Sequence, residues 1–313
     1  MERTRLKFND RAEWLEARNK GIGASEVATV VGLNPWETPY QLWRRKRGMD
    51  APQPENFAMK AGHYLEDAVA RFYQDESGRE VISSTADDFM FVDKNKPFLR
   101  VSPDRLFWLP GMAKNDDNKG ILECKTTQKT INPDDLPKHW FCQVQMNLGI
   151  AGYTQGSLAW LTQGRDFGYR DIEFSPDFFA WLVEEVERFW TDYVVGGREP
   201  EATEVSDVLL KYNRHTDGKI VEVSPDVFDQ YAELKDLKSQ ISELEGRKKA
   251  VEDKIKVAFA DAEAITFGGE TLATWKAAKD SLKFDEKAFR EANPELYNQY
   301  VKPVAGSRRL LLK

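Results

Sequence analysis

The chain has 313 residues, 31% of them charged and 12% aromatic, and a formal net charge of −7. That length leaves room for a main domain and a smaller one. The acidic balance excludes a protein that coats nucleic acid by bulk charge, yet a local basic patch can still meet phosphate beside an acidic metal site. No apolar run approaches the roughly 18–20 residues of a membrane span, and Met1–Lys7 lacks the apolar stretch of a signal peptide. The two cysteines, Cys124 and Cys142, make no disulfide framework, so a reducing cytosol is the expected compartment.

In chain order, Arg11 to Arg18 reads as a short amphipathic helix carrying Trp14 and Leu15. A tight Gly21–Glu26 connection leads into Val27–Val31, closed by Gly32, with Ser25 as the expected N-cap. Thr38 caps a further helix, with Pro39 at its first position and an end near Gly48. Its last turns hold Arg44, Arg45, Lys46 and Arg47. Cations there either complement the helix dipole on a solvated face or form a phosphate-facing patch. A longer helix is predicted over Phe57–Glu76, with Leu65, Val69, Phe72 and Tyr73 on one apolar face and Glu66 beside it.

Glu80–Val92 and Phe98–Trp108 read as antiparallel strands, and a third strand ending Ile121–Thr127 completes a meander. Alternation sends Glu123 and Lys125 to one face and Leu122 and Cys124 to the core. With Asp104 on the neighbouring strand, two carboxylates and an amine surround one point, a set suited to a hard divalent cation and an adjacent water. Pro137–Gly149 follows as a helix with Trp140, Val144 and Leu148 in its stripe and Gln143 and Gln145 beside it. Strands Thr154–Leu161 and Gly168–Phe174 precede a helix over Phe178–Val195, entered through a Phe174–Phe179 hydrophobic staple. This order is α+β.

Composition shifts at Gly196–Pro200, which divides the chain into a domain of residues 1–198 and an extension of residues 199–313. A heptad pattern, with Leu234, Ile241 and Ile255 at one position and Leu237, Leu244 and Val251 at the other, is interrupted by Lys248. It predicts a helical hairpin arm or a short coiled coil over about 224–263. A small tail follows: a β-hairpin through Gly268-Gly269, a helix Asp285–Ala292 and a strand Ser307–Leu312. His63, His139 and His215 show no ligand spacing.

Asp104 followed by Glu123-Cys124-Lys125 resembles the nuclease motif of the PD-(D/E)XK superfamily. Further pieces, Trp14–Arg18, Gly23–Val27, Gly62–Glu66, Ser102–Asp104 and Gln143–Met146, resemble in order the lambda-exonuclease/YqaJ-type viral recombinase family. The resemblance spans roughly residues 10 to 195, about one domain, and residues beyond about 200 have no counterpart in the minimal family domain. It implies a restriction-endonuclease-like core, a central mixed sheet flanked by helices. It also implies a magnesium-dependent DNA exonuclease, with manganese able to substitute, acting 5′→3′ on linear duplex ends. Products would be 5′-mononucleotides, leaving 3′ single strands for phage-type recombination. By the same resemblance, Asp104, Glu123 and the Cys124 backbone carbonyl would hold metal, with Glu66 serving a second ion. Lys125 would orient the attacking water, Gln143 would bond that water or Lys125, and Arg18 and Ser25 would hold a terminal 5′-phosphate. A trimeric ring around duplex DNA, a single-strand annealing partner, and the cytoplasm of a bacterium or phage-infected host are implied too. A structure-specific endonuclease or a non-catalytic DNA-binding recombination adaptor are the alternative readings.

Overall fold

The computed structural model describes residues 2–50, 56–82, 89–304 and 306–313. Two units divide it, the first ending at Lys211 and the second starting at Tyr212. The first unit opens with β1 (Arg3–Lys7), α1 (Arg11–Asn19), α2 (Ala24–Val30), α3 (Pro39–Lys46) and α4 (Phe57–Ser77). Five strands follow: β2 (Val81–Ile82), β3 (Phe89–Asp93), β4 (Arg100–Val101), β5 (Arg105–Trp108) and β6 (Lys119–Thr127). The unit closes with α5 (Lys138–Ala151), β7 (Gln155–Thr162), β8 (Asp166–Glu173), α6 (Pro176–Arg188) and α7 (Val205–Lys211).

The main sheet has the order β2-β5-β6-β7-β8. Only β6 and β7 are parallel, Glu123 standing opposite Leu158 and Lys125 opposite Trp160, and α5 makes the crossover that a parallel pair requires. Helices cover both faces. Val69, Ala70 and Tyr73 of α4 pack on Phe107, Leu122, Cys124 and Ala159. Ile121, Val144, Leu148, Leu158 and Leu182 belong to the larger core on the other side, with α2, α3, α5 and α6. Gly149 lets α5 and α6 approach closely, since a Cβ there would overlap the Phe179 ring. This is the expected mixed sheet flanked by helices, a restriction-endonuclease-like core.

The two long strands of the meander are each shared between two sheets. β3 and β4 pair with one another and with β1 in a separate three-stranded sheet, whereas β2 and β5 belong to the main one. The chain changes sheet at Ser102–Asp104, where Pro103 has no N–H to continue a ladder. In the other long strand, the expected residues 83–88 lie outside the described ones. β1 was not among the expected elements, the N-terminal region having the pattern of helices; its pairing with β3 runs from Arg3 opposite Asp93 to Lys7 opposite Phe89.

The unit boundary falls after Lys211 and not at residue 198, because Asp207 is fully buried in the first unit. Its Oδ1 accepts from Thr38 Oγ1 at 2.8 Å and its Oδ2 from the amides of Thr203 and Glu204. In the second unit, α8 (Pro225–Phe259) is one helix of 35 residues. The hairpin alternative fails there, since Gly246, the only glycine in that stretch, keeps helical backbone. β9 (Ala264–Phe267) and β10 (Glu270–Thr274) form the expected hairpin, Gly268 and Gly269 supplying the positive φ of its turn. α9 (Glu286–Ala292) and α10 (Pro294–Tyr300) come next. Residues 307–312 form no strand, and Leu310 and Leu311 lie exposed without a neighbouring strand to pair with. Among the described residues no helix is long and apolar enough to cross a membrane.

Candidate active site

The ladder of β5 with β6 ends where Arg105 meets Leu122. Just beyond it, the Cys124 amide donates to Asp104 Oδ2 at 2.7 Å, so the carboxylate replaces the missing strand partner and is fixed beside β6. Glu123 is fully buried and points to α5. Its Oε1 accepts from Lys125 Nζ at 2.7 Å and from Gln143 Nε2, and its Oε2 accepts from Asn147 Nδ2 at 2.9 Å. Lys125 Nζ also donates to Gln143 Oε1 at 2.9 Å. Strand alternation thus delivers Glu123 and Lys125 to one face, and a residue pair four apart on α5 meets them there. Glu66, on α4, pairs with the buried guanidinium of Arg105, whose Nη1 also reaches the Asp104 carbonyl at 2.7 Å.

A second group closes on the same space from the N-terminal helices. Arg18 Nη2 donates to Ser25 Oγ at 2.8 Å, and its guanidinium lies 5.1 Å from the centre of the Trp14 ring. Ser25 is not the N-cap of α2; Gly23 takes that position, its amide donating to Glu26 Oε2 at 2.8 Å and its carbonyl accepting from the Glu26 amide at 2.9 Å. That shift leaves the Ser25 hydroxyl for Arg18. The Gly21–Gly23 segment is tied to the strand region, Ile22 N–H donating to the Phe98 carbonyl at 2.7 Å. One cleft of about 640 Å³ is lined by Arg18, Ser25, Glu66, Asp104, Glu123, Lys125 and Gln143 together.

The basic run at the end of α3 is not in that lining. Arg44 holds Asp50 through two nitrogens, and Arg47 donates to the Val194 carbonyl at 2.9 Å. Arg45 spans Glu26 at 2.8 Å and Glu37 at 2.9 Å, while the buried Lys46 ammonium meets Glu26 at 2.8 Å. Arg44, Arg45 and Lys46 are thus engaged by carboxylates and Arg47, which stays exposed, by a helix-end carbonyl, so the expected phosphate-facing patch stands outside the cleft with its cations already partnered.

Burial, reinforced by the neighbouring Asp104, pushes the Glu123 carboxyl up to about 8. Burial alone would lower Lys125, but Glu123 and Asp104 outweigh it and hold the ammonium above its ordinary value. Burial also raises the Cys124 thiol, which packs against α4 and stays protonated. No set of three or more His, Cys, Asp or Glu side chains converges at metal-holding geometry among the described residues. What the cleft offers is a pair of carboxylates and strand carbonyls, hard oxygen donors of the kind magnesium selects. By the chemistry of that donor set, and by the bond that already fixes Asp104 beside the strand, these residues fit a divalent cation.

The upward shift of Glu123 has a consequence for stability. A carboxyl at about 8 in the folded chain and 4.5 in the unfolded chain binds its proton more tightly when folded across that window. Stability in chelator is therefore expected to fall as pH rises from 4.5 towards 8. Urea denaturation at a series of pH values checks this, with Glu123→Gln expected to remove the slope; a wild-type curve as flat as the variant's contradicts it.

Sequence reasoning passed over Asn147 and Arg105. Asn147 was detectable as the residue four after Gln143, on the same helical face. Arg105, next to Asp104, gave no such signal because its role depends on α4 crossing the strand. Gln145, singled out beside Gln143, is structural: it donates to the Glu173 carbonyl at 2.8 Å and accepts from Ser175 N–H at 2.9 Å.

A mixed sheet carrying Asp104 and the Glu-X-Lys element of β6, covered by helices on both faces, defines a PD-(D/E)XK core. Residues 13–154 match the YqaJ-like viral recombinase domain. The chain is 31% identical to the uncharacterized protein YqaJ of Bacillus subtilis strain 168 over 314 residues, covering 97% of this chain and 94% of that one. It belongs to the YqaJ-like viral recombinase family. Among solved structures, it is similar to an alkaline exonuclease from Laribacter hongkongensis, with a TM-score of 0.43 and 20% identity over 58% of this chain and 91% of that one. A phage-related exonuclease from Haemophilus somnus 129PT gives 0.40 and 10% over 57% and 96%.

Proposed function

We propose that the chain is a divalent-cation-dependent deoxyribonuclease that shortens linear duplex DNA from its 5′ ends. In this reading it releases 5′-mononucleotides and leaves 3′ single strands for recombination. The observation that carries it is the single cleft shared by the Asp104, Glu123, Lys125 group and the Arg18, Ser25 pair. One group has the composition for phosphodiester hydrolysis, and the other suits a terminal phosphate, an Arg fork with a hydroxyl beside it.

Asp104, Glu123 and the Cys124 carbonyl would hold magnesium or manganese, with Glu66 for a second ion once released from Arg105. The cation supplies Lewis acidity and a more acidic water. Lys125, kept protonated by its two carboxylate neighbours, positions the attacking water and neutralises charge on the phosphorane. Gln143 fixes the Lys125 ammonium by accepting from it. Arg18 and Ser25 grip the phosphate that marks the strand end. The family resemblance further supports a ring of three chains around the duplex, cytoplasmic action and a single-strand annealing partner.

The deciding experiment compares end-labelled linear duplex with closed circular DNA in magnesium. Labelled mononucleotide from the 5′ end, with circles untouched, is expected. Nicked circles point to an endonuclease, and inert linear DNA to an adaptor. Duplex ends bearing 5′-phosphate are expected to be degraded faster than 5′-hydroxyl ends, with Arg18→Ala erasing the difference; equal rates in the unaltered chain would remove Arg18 and Ser25 from the phosphate role.

A further inference from the structure

Between residues 234 and 255 of α8, every Leu, Ile and Val falls at a or d of one heptad frame: Leu234, Leu237, Ile241, Leu244, Val251 and Ile255. The helix has 35 residues, a span of about 52 Å. Its apolar seam lies open, with Ile241 53% and Leu244 57% exposed. A helix of this kind gains most of its stability from packing its apolar face, and Gly246 lowers its intrinsic helicity further. A strict 3.5-residue spacing is the geometry of a supercoiled helix pair, narrower than the stripe a globular core receives.

We propose that α8 pairs antiparallel with α8 of a second copy of this chain. The charges beside the seam favour a self-pair. In the register of full overlap, centred beside Ser242, Ile241 faces the second copy's Leu244 and Leu234 faces its Val251. Lys238 then meets the second copy's Glu245, and Glu233 meets its Lys254. No like charges oppose one another. A parallel pair would also match charges, Glu233 with Lys238 and Arg247 with Glu252. It would, however, set Lys248 against its own copy in the middle of the seam, whereas the antiparallel register places Lys248 opposite Leu237, its ammonium free to reach solvent. The arm is therefore a self-association element, separate in sequence from the residues of the cleft.

Cysteine cross-linking in the full chain reads the orientation, since the native Cys124 and Cys142 are both buried. A mixture of Leu234→Cys and Val251→Cys chains is expected to form mixed disulfide dimers under mild oxidation, while Leu234→Cys alone does not. Self-cross-linking of Leu234→Cys overturns the antiparallel register, and no cross-linking in the mixture overturns the pairing. Sedimentation supplies the second reading: Ile241→Lys with Leu244→Lys is expected to reduce the assembly mass by about half, as loss of a two-fold interface requires. A milder variant guards against misfolding. Lys238→Glu weakens association and added Glu245→Lys restores it; an unchanged mass in all three variants refutes the proposal.

Discussion

Lys125→Met is expected to lower mononucleotide release from linear duplex DNA by roughly 10²–10³-fold, the usual loss when one preorganised charge is removed from a reacting centre. The substitution keeps an unbranched stem and removes only the ammonium that bonds Glu123 and Gln143. Folding is expected to persist, because Glu123 is inclined to hold a proton and retains its bonds from Gln143 and Asn147. Asp104→Asn makes a companion test: its amide oxygen still accepts from the Cys124 N–H, but the charge for a cation is gone. Thermal midpoints near wild type with activity lost identify the chemistry. Undiminished turnover in either variant would remove that residue from the catalytic set. The raised pKa of Lys125 also separates two roles: as a positioned ammonium it imposes no activity limb near neutral pH, whereas a lysine acting as base would impose one.

The largest stability effect is expected at Glu26. This carboxylate is 3% exposed and receives the Gly23 amide, Arg45 and Lys46. Burial opposes its charge, but Lys46, Arg18 and Arg45 prevail and hold it down at about 2. Glu26→Ala leaves the buried Lys46 ammonium without its partner, a change that costs about 3–5 kcal/mol in comparable buried pairs. Glu26→Ala combined with Lys46→Met removes both charges and is expected to recover most of the loss. Urea denaturation measures all three chains. A single-variant cost no larger than that of an exposed ion pair would mean that water reaches the cluster. The sign with pH is opposite to that of Glu123: the Glu26 contribution is complete above 4.5 and disappears as pH falls towards 2.

The local signals in the chain were sufficient for much of this architecture. Thr38-Pro39 opened α3 as expected, and the Phe174–Phe179 staple closed with ring centres 5.4 Å apart. Alternation along β6 placed Glu123 and Lys125 together because strand geometry alone decides it. What escaped depended on distant partners. Arg44–Arg47 look identical in sequence whether or not they have acidic partners, and only the fold brings Asp50, Glu26 and Glu37 to three of them and the Val194 carbonyl to the fourth. Leu65 and Phe72 continue the apolar period of α4 yet are 39% and 44% exposed, whereas Val69 and Tyr73 of the same stripe are fully buried. The sheet change at Pro103 also escaped, since a proline within a strand pattern can mark an edge, a bulge or an exit.

The segment from Phe98 to Trp108 acquires a further meaning from that exit. At one end its backbone is bonded to Ile22, just before α2 with its Ser25, and at the other Arg105 to Trp108 pair with the strand that carries Glu123. Trp14 Nε1 pins the middle by donating to Ser102 Oγ at 3.0 Å. In the proposed reading, the segment that leads into the grip on a strand's end and the strand that carries the point of cleavage would thus be tied to one short backbone span. On that reading such a span would act as a molecular ruler. The length of each excised piece would then be set by the protein backbone, independently of base sequence, and every cycle would present the next phosphate at the same distance.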